Sequence, residues 1–342
     1  MKLLLAGEWE HSIYEPACAD ALRRLGLDVL PFKFGDFLGG RLGRLERWAL
    51  ATGPRTLALN WALLRAAREH RPDAILVWRG VHVLPTTLRE LARAGSVLVS
   101  YNNDDPFSHR YAESPSLHQR RLWKRFVAGL PAYHINFVYR QKNVLDYQRA
   151  GAATPHLLLP YYVPALHYPV AVPKGAEYDA VFVGHYEPDE RFESIAALRA
   201  SGVRVAVFGT GWHACRGLGG ERSKIEPAKG HRYCEVVSAA HFALSFYSKL
   251  NADRYTRRVF ELPAMGTVLV STRTPEMQTL FEDGSEALLF GCVEELVERA
   301  RWLLDHPERA QRIAAAGRQR CLASGYDVDG RMREFLNVLK SF

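Results

Sequence analysis

The sequence predicts an α/β protein built from two Rossmann-like domains in tandem with a helical tail. Three observations carry this. Short apolar runs alternate with helical patterns in the first half. The same rhythm restarts after a proline-punctuated break. The chain has 342 residues, too many for one ordinary core and suited to two.

In the first half, Lys2–Ala6 reads as a strand and Tyr14–Leu25 as an amphipathic helix. Leu27–Pro31, Ala74–Trp78 and Ser96–Tyr101 are further strands, with the helix Thr86–Arg93 between the last two. His134–Val138 and His156–Leu159 follow as strands. Such βαβ alternation predicts a largely parallel sheet with helices on both faces. Pro160, Pro164, Pro169 and Pro173 then interrupt any periodicity. Proline fixes φ and removes a donor, so an interdomain linker is expected over 166–177, between a domain at 1–165 and another at 178–325.

In the second half, Tyr178–Val183 ends at Gly184, Val203–Phe208 ends at Gly209, and His241–Phe246 runs into a polar loop. Thr256–Met265 reads as a helix, Thr267–Ser271 as a strand, Glu276–Glu282 as a helix and Ala287–Phe290 as a last strand. Helices follow at Val293–Asp305, Glu308–Ala323 and Asp329–Leu339. The last of them, in 326–342, is expected to pack back on the first domain.

Composition narrows the class. Hydrophobic residues make up 48% and charged residues 24%, a globular balance. The apolar start Met1–Ala6 is far shorter than the roughly 20 residues that span a bilayer, and no signal-cleavage pattern follows. A cytoplasmic protein is expected. Five cysteines, odd in number and without a CxxC pair, argue against a disulfide framework or zinc site. The net charge of +8 favours an anionic partner without naming it. No RRM, zinc-finger or helix-turn-helix signature supports nucleic-acid recognition.

Ligands of open α/β sheets bind beyond the carboxyl ends of strands, near helix N-termini. Three loops of the second half qualify. Gly184-His185 permits close backbone approach. Gly209-Thr210-Gly211-Trp212 can turn N–H groups toward phosphate, with Trp212 placed to stack on a base. It is not a GxGxxG fingerprint, because the third glycine is missing. The segment Lys249–Glu261 leads into a helix that Asp253 or Thr256 can cap. Arg257 and Arg258 at that helix start oppose its dipole by about 0.3–1 kcal/mol each, unless a diphosphate reverses the sign. Lys249 and Asn251 belong to the same loop. Glu261, three residues after Arg258, shares its face and can accept two ribose hydroxyls, or simply form an ion pair.

The block Arg258-Val-Phe-Glu261, Pro263-Ala-Met-Gly266, Leu280-Phe281, Gly284, Phe290 and Glu294-Glu295-Leu296 resembles the C-terminal domain of the spore-maturation CgeB-like glycosyltransferases. So do Pro307-Glu308-Arg309, Ile313-Ala314, Gly317 and Arg320. The likeness is clear over about 178–335 and weaker over 70–165. It implies a GT-B fold, two Rossmann-like domains with a deep interdomain cleft, the donor nucleotide in the C-terminal domain and the acceptor against the N-terminal one. It implies Glu261 for the ribose, Arg258 for the diphosphate, and Gly184 with Gly209–Trp212 as the cradle. The wider class carries two glutamates about seven residues apart; here the upstream position is Arg254, so the sugar cannot be inferred.

Transfer also needs leaving-group stabilisation and, if it inverts, a base for the acceptor hydroxyl. Arg258, with Arg257 or Lys249, can neutralise the diphosphate. No DxD stands out, so neither metal nor cofactor is expected. Base candidates lie at first-domain strand ends: Glu8, Glu10, His11, Asp104, Asp105 and His109, with Asp105 and His11 favoured. Two basic-aromatic stretches, Arg41/Arg44/Arg47/Trp48 and Arg120–Phe126, suit peripheral contact with an anionic membrane, or are solvated helix faces. The resulting expectation is transfer from a nucleotide-sugar donor to a glycan or lipid-linked acceptor in surface-polysaccharide or envelope-glycan synthesis. A nucleotide-sugar epimerase or hydrolase, and a non-catalytic nucleotide-binding or membrane-surface adaptor, remain alternatives.

Overall fold

A computed structural model of the protein describes residues 1–49, 51–108, 117–215, 217, 225–249 and 252–342. The chain forms two compact units, one of 1–160 with 328–342 and one of 161–327.

The first unit holds strands β1 (Lys2–Gly7), β2 (Asp28–Lys33), β3 (Ala74–Trp78), β4 (Val97–Asn102), β5 (Ile135–Val138) and β6 (Pro155–Leu157). They form one parallel sheet in the order β2-β1-β3-β4-β5-β6. The connections carry α1 (Glu15–Arg24), α2 (Gly35–Leu38), α3 (Arg41–Ala49), α4 (Pro54–His70), α5 (Pro85–Arg93), α6 (Leu117–Gly129) and α7 (Gln141–Arg149). β3 is buried along its whole length and β1 beyond its first residue, as expected of central strands covered on both faces.

The second unit holds β7 (Ala180–Val183), α8 (Arg191–Ala200), β8 (Val205–Phe208), α9 (His231–Ser238), β9 (Phe242–Ser245) and α10 (Arg258–Ala264). It continues with β10 (Val268–Thr272), α11 (Pro275–Leu280), β11 (Leu288–Phe290), α12 (Val293–Asp305) and α13 (Pro307–Ala323). Its parallel sheet runs β11-β10-β9-β7-β8. In each sheet the strand order reverses beside the first strand, at β1/β3 and at β7/β9. These switch points are where an open α/β sheet leaves a crevice.

Helix α14 (Val328–Ser341) returns to the first unit. Its Phe335 ring lies 5.0 Å from Phe137, buried Arg331 donates from Nε to the Pro160 carbonyl at 3.4 Å, and Asp329 pairs with Arg24 on α1.

Predicted and observed strands agree closely, but α2, α4, α7, α8 and α9 fall on segments that the periodicity does not mark. In α4 the apolar residues spread around the helix, with Leu59 and Leu63 inside but Leu57 and Trp61 outside, so no single stripe stands out. The predicted capping of α10 is corrected. The helix starts at Arg258 with Arg257 in the cap position and no side-chain cap bond, and the Thr256 hydroxyl is buried without a hydrogen-bond partner. At the other end, Gly266, at φ +76°, follows the last turn and donates to the Pro263 carbonyl. All five cysteines are free thiols. No helix among the described residues is long and apolar enough to cross a membrane.

Candidate functional site

At the carboxyl end of β7 and β8, the glycines join two loops to each other. Gly184 donates its N–H to the Phe208 carbonyl at 2.8 Å and accepts from Trp212 Nε1 at 3.0 Å. Gly209 has φ +150°, and a Cβ there would stand 1.8 Å from the Gly184 carbonyl oxygen. Gly211 has φ +80°, with a would-be Cβ 2.6 Å from the His185 ring. His185 Nδ1 bonds Thr210 Oγ1 at 2.9 Å. Only glycine allows this crossing of backbones.

Two expectations are corrected here. Trp212 is 1% exposed and packs in the core with Phe182 and Tyr186, so its ring offers no face to a base. The Gly209 N–H is not aimed outward either, because it donates to the Glu226 carbonyl at 3.0 Å. Lys249 forms an ion pair with Glu190 at the surface. Asn251 lies outside the described residues.

The start of α10 gathers the charges. Glu261 is buried and accepts a hydrogen bond on Oε2 from the Tyr233 hydroxyl at 3.0 Å. Arg258 Nη1 donates to that same hydroxyl at 3.1 Å, its guanidinium 5.5 Å from the ring centre. Arg258 and Glu261 are therefore bridged by Tyr233 rather than joined as a surface ion pair. Arg257 Nε lies 3.9 Å from Glu261 Oε1, its guanidinium over the Tyr161 ring at 4.9 Å. His167 stands on the other side, Nε2 3.6 Å from Oε1, while its Nδ1 accepts from the Val163 N–H at 2.9 Å. That bond leaves the proton on Nε2, facing the carboxylate. Burial lowers the His167 pKa. Burial also pushes Glu261 upward, but His167, the two arginines and the Tyr233 hydroxyl outweigh it and hold the carboxyl below its ordinary value. With His167 neutral, the arginines and the hydroxyl supply the stabilisation at neutral pH.

Tyr233 and His167 escape sequence reasoning. One sits on α9 and the other in the proline-rich stretch, and neither spacing signals a ligand.

In the first unit, a cavity of about 670 Å³ opens at the β1/β3 switch point. Glu8, Glu10 and His11 reach it from the end of β1, Arg79 from β3 and Arg47 from α3. Arg47 pairs with Glu8 and, at 3.0 Å, with Glu10. Arg79 Nε donates to Asp104 Oδ2 at 2.7 Å. Gly7 has no Cβ to block the Glu15 carboxylate, which accepts the Glu8 N–H at 2.9 Å and fixes this loop to α1. Trp9 and Arg79 both adopt left-handed φ, +59° and +47°. Strain of about 1–3 kcal/mol each is typical of such residues and gathers at functional loops. Burial raises the Glu8 pKa despite Arg47 beside it.

Of the two favoured bases, His11 is exposed on the cavity rim. Asp105 is corrected. It is 0% exposed, its Oδ1 accepts from the Phe107 N–H and Asn143 Nδ2 at 2.9 Å each, and Lys142 Nζ lies 2.5 Å from Oδ2. It is a structural anchor that an acceptor hydroxyl cannot reach. His109 lies outside the described residues. Among the described residues, no cluster of His, Cys, Asp or Glu could hold a metal ion.

His82 is buried with Nε2 3.8 Å from Glu8 Oε1, and its pKa is pushed down to about 4, by burial first and then by Arg47, Arg125 and Arg79. The unfolded chain takes up that proton near pH 6.5. The stabilising contribution is therefore complete above about 6.5 and is lost as pH falls towards 4, in total about 3 kcal/mol. Glu8, raised, acts in the opposite sense over part of this window. Urea denaturation across pH is expected to show a flatter acid limb for His82→Gln than for the wild type. An unchanged limb would remove His82 as its source.

Residues 191–337 match the family model described as glycosyl transferase-like. No curated protein matches the chain. Among solved structures, sucrose-phosphate synthase from Thermosynechococcus elongatus is similar with a TM-score of 0.71 and 14% identity, over 100% of this chain and 98% of that one. HepE from Anabaena, solved with UDP-glucose, gives 0.70 and 14% over 100% of both chains. A glycosyltransferase from Rickettsia africae gives 0.63 and 10%, over 99% and 98%. At such identities the likeness shows the fold: two parallel-sheet α/β domains of the GT-B glycosyltransferase type.

Proposed function

We propose that the protein is a glycosyltransferase that moves a sugar from a nucleoside diphosphate sugar to a glycan or lipid-linked acceptor, in surface-polysaccharide or envelope-glycan assembly. The observation that carries this is the Glu261–Tyr233–Arg258 cluster at the start of α10, inside the segment that matches the family model. Arg257 and Arg258 stand at the start of α10, where a diphosphate is attracted by both side chains and by the positive end of the helix. Glu261 is the group for the ribose hydroxyls, which would take the place of the Tyr233 hydroxyl on Oε2. The Gly184, His185, Gly209 and Gly211 loops shape the wall, and Lys249, paired with Glu190 at the surface, would exchange that partner to meet the diphosphate. HepE, of the same fold, was solved with UDP-glucose, which supports a nucleotide-sugar donor.

As the donor bond breaks, negative charge grows on the leaving diphosphate, and Arg258 with Arg257 offsets it. This reading assigns the charge to arginines and calls for no metal or cofactor. On the acceptor side, Glu8 is the better base than Asp105. It lies in a cavity at the end of β1, and its raised pKa brings it nearer the range a general base needs.

The test is a thermal-shift screen with UDP, GDP, CDP, TDP and ADP and their sugar conjugates. Selective stabilisation by one nucleotide is expected, on the order of 2.7 kcal/mol at a hundredfold excess over Kd. In calorimetry, Arg258→Ala is expected to weaken that nucleotide by about 1.5–3 kcal/mol, the scale of a charge-assisted contact. A screen without any shift, or an unchanged affinity in the variant, would overturn the assignment.

A further inference from the structure

Helix α3 is built inside out. Its buried side carries Gly43 and Glu46, while Leu42, Leu45 and Trp48 face outward, Leu45 at 58% and Trp48 at 75% exposure. Glu46 is held inside because it caps α4: its carboxylate accepts the Arg55 N–H at 3.1 Å, the Thr56 N–H at 2.8 Å and the Thr56 hydroxyl at 2.9 Å. Gly43 is needed because a Cβ would fall 2.6 Å from the Leu38 backbone. The leucines are therefore outside through the helix's own anchoring.

Helix α4 also turns apolar residues outward, although its Leu59 and Leu63 are buried. Leu57 and Trp61, four residues apart, are exposed, Trp61 at 63%, and the Arg65 guanidinium lies 5.2 Å from the Trp61 ring centre. The two helices pack on each other through the Glu46 cap.

The charge on this pair is mainly positive. Residues 41–70, which span α3 and α4, contain six arginines and two acids, the buried Glu46, and Glu69, which pairs with Arg65. Exposed leucine and tryptophan flanked by the exposed Arg41, Arg44 and Arg55 match the interface of an anionic bilayer, where tryptophan sits at headgroup depth and arginine meets lipid phosphate.

The same helix borders the cavity. Arg44, Arg47 and Trp48 line it together with Glu8 and His11. We propose that the outward faces of α3 and α4 dock on an anionic lipid bilayer, which places the rim of the β1/β3 cavity at the membrane. The second basic-aromatic stretch does not share this role, because Trp123 and Phe126 are core residues. Leu50 lies outside the described residues.

Flotation of the full chain with vesicles tests the proposal, comparing pure phosphatidylcholine with phosphatidylcholine containing about 30 mol% phosphatidylglycerol. The wild type is expected to float with the anionic vesicles, and release at about 0.5 M salt is expected because exposed charges are then screened. Leu45→Glu/Trp61→Glu is expected to lower the bound fraction about tenfold, with an unchanged melting midpoint and nucleotide shift as the folding controls. Arg41→Glu/Arg55→Glu is expected to lose only the preference for anionic lipid. A wild type that stays unbound, a double variant that floats as well as the wild type, or a concentration-dependent dimer that Leu45→Glu dissolves would each overturn it. The readout is lipid binding, so its failure leaves the nucleotide reading standing.

Discussion

Glu261→Ala is expected to destabilise the C-terminal unit by about 3–5 kcal/mol in urea denaturation, the range for removing one partner of a buried charged cluster. The carboxylate is buried among Arg257, Tyr233 and His167, with Arg258 held to it through the Tyr233 hydroxyl. Without it, the positive charge at the start of α10 loses its counter-charge and the Tyr233 hydroxyl loses its acceptor. Glu261→Gln keeps the shape and the accepting oxygen, so it should cost less stability while still weakening the nucleotide. The pH dependence supplies a second readout. A carboxyl held below its ordinary value stabilises the fold above about pH 4.5, and that contribution disappears as pH falls through the lowered value. The acid limb should therefore be shallower in Glu261→Ala. A cost under about 1 kcal/mol, the scale of an exposed pair, would show that this carboxylate is not the counter-charge.

Glu8→Gln is expected to lower turnover by about 10²–10⁴-fold with nucleotide affinity unchanged, the usual scale for removing a general base. The amide retains most contacts of the carboxylate with Arg47 but cannot take a proton. Steady-state rates with a competent acceptor, set beside calorimetry with the donor nucleotide, separate the two effects. A fully active variant would exclude Glu8 and favour a mechanism in which no side chain deprotonates the acceptor.

Much of the architecture was legible because it rests on period and punctuation. Central strands such as β1 and β3 are continuous apolar runs, and α10 ends at Ala264, within a residue of the predicted Met265. The site was legible in a different degree. Gly184 and Gly209 do follow β7 and β8, since topology dictates such loops, and Arg257, Arg258 and Glu261 come together at one helix start. What the side chains do there was not legible. Trp212 looks the same in sequence whether it stacks on a ligand or fills a core, and only packing distinguishes the two. Asp105 carries the same ambiguity, which Asn143 and Lys142 resolve from residues nearly forty positions away. Tyr233 and His167 become partners of Glu261 through tertiary contact alone. Helix α4 hid for a related reason: a helix that places leucine and tryptophan on the solvent side lacks the one-sided stripe by which helices are read.

The return of α14 sets an order for synthesis. The first unit cannot cover Phe137 or satisfy the Pro160 carbonyl through Arg331 until residues 328–341 exist, and by then every residue of the second unit has been made. The later-encoded unit can therefore finish folding first, while the earlier one waits with part of its apolar surface uncovered. That interval is where a chaperone would have most to protect, and where a chain cut short before α14 would aggregate.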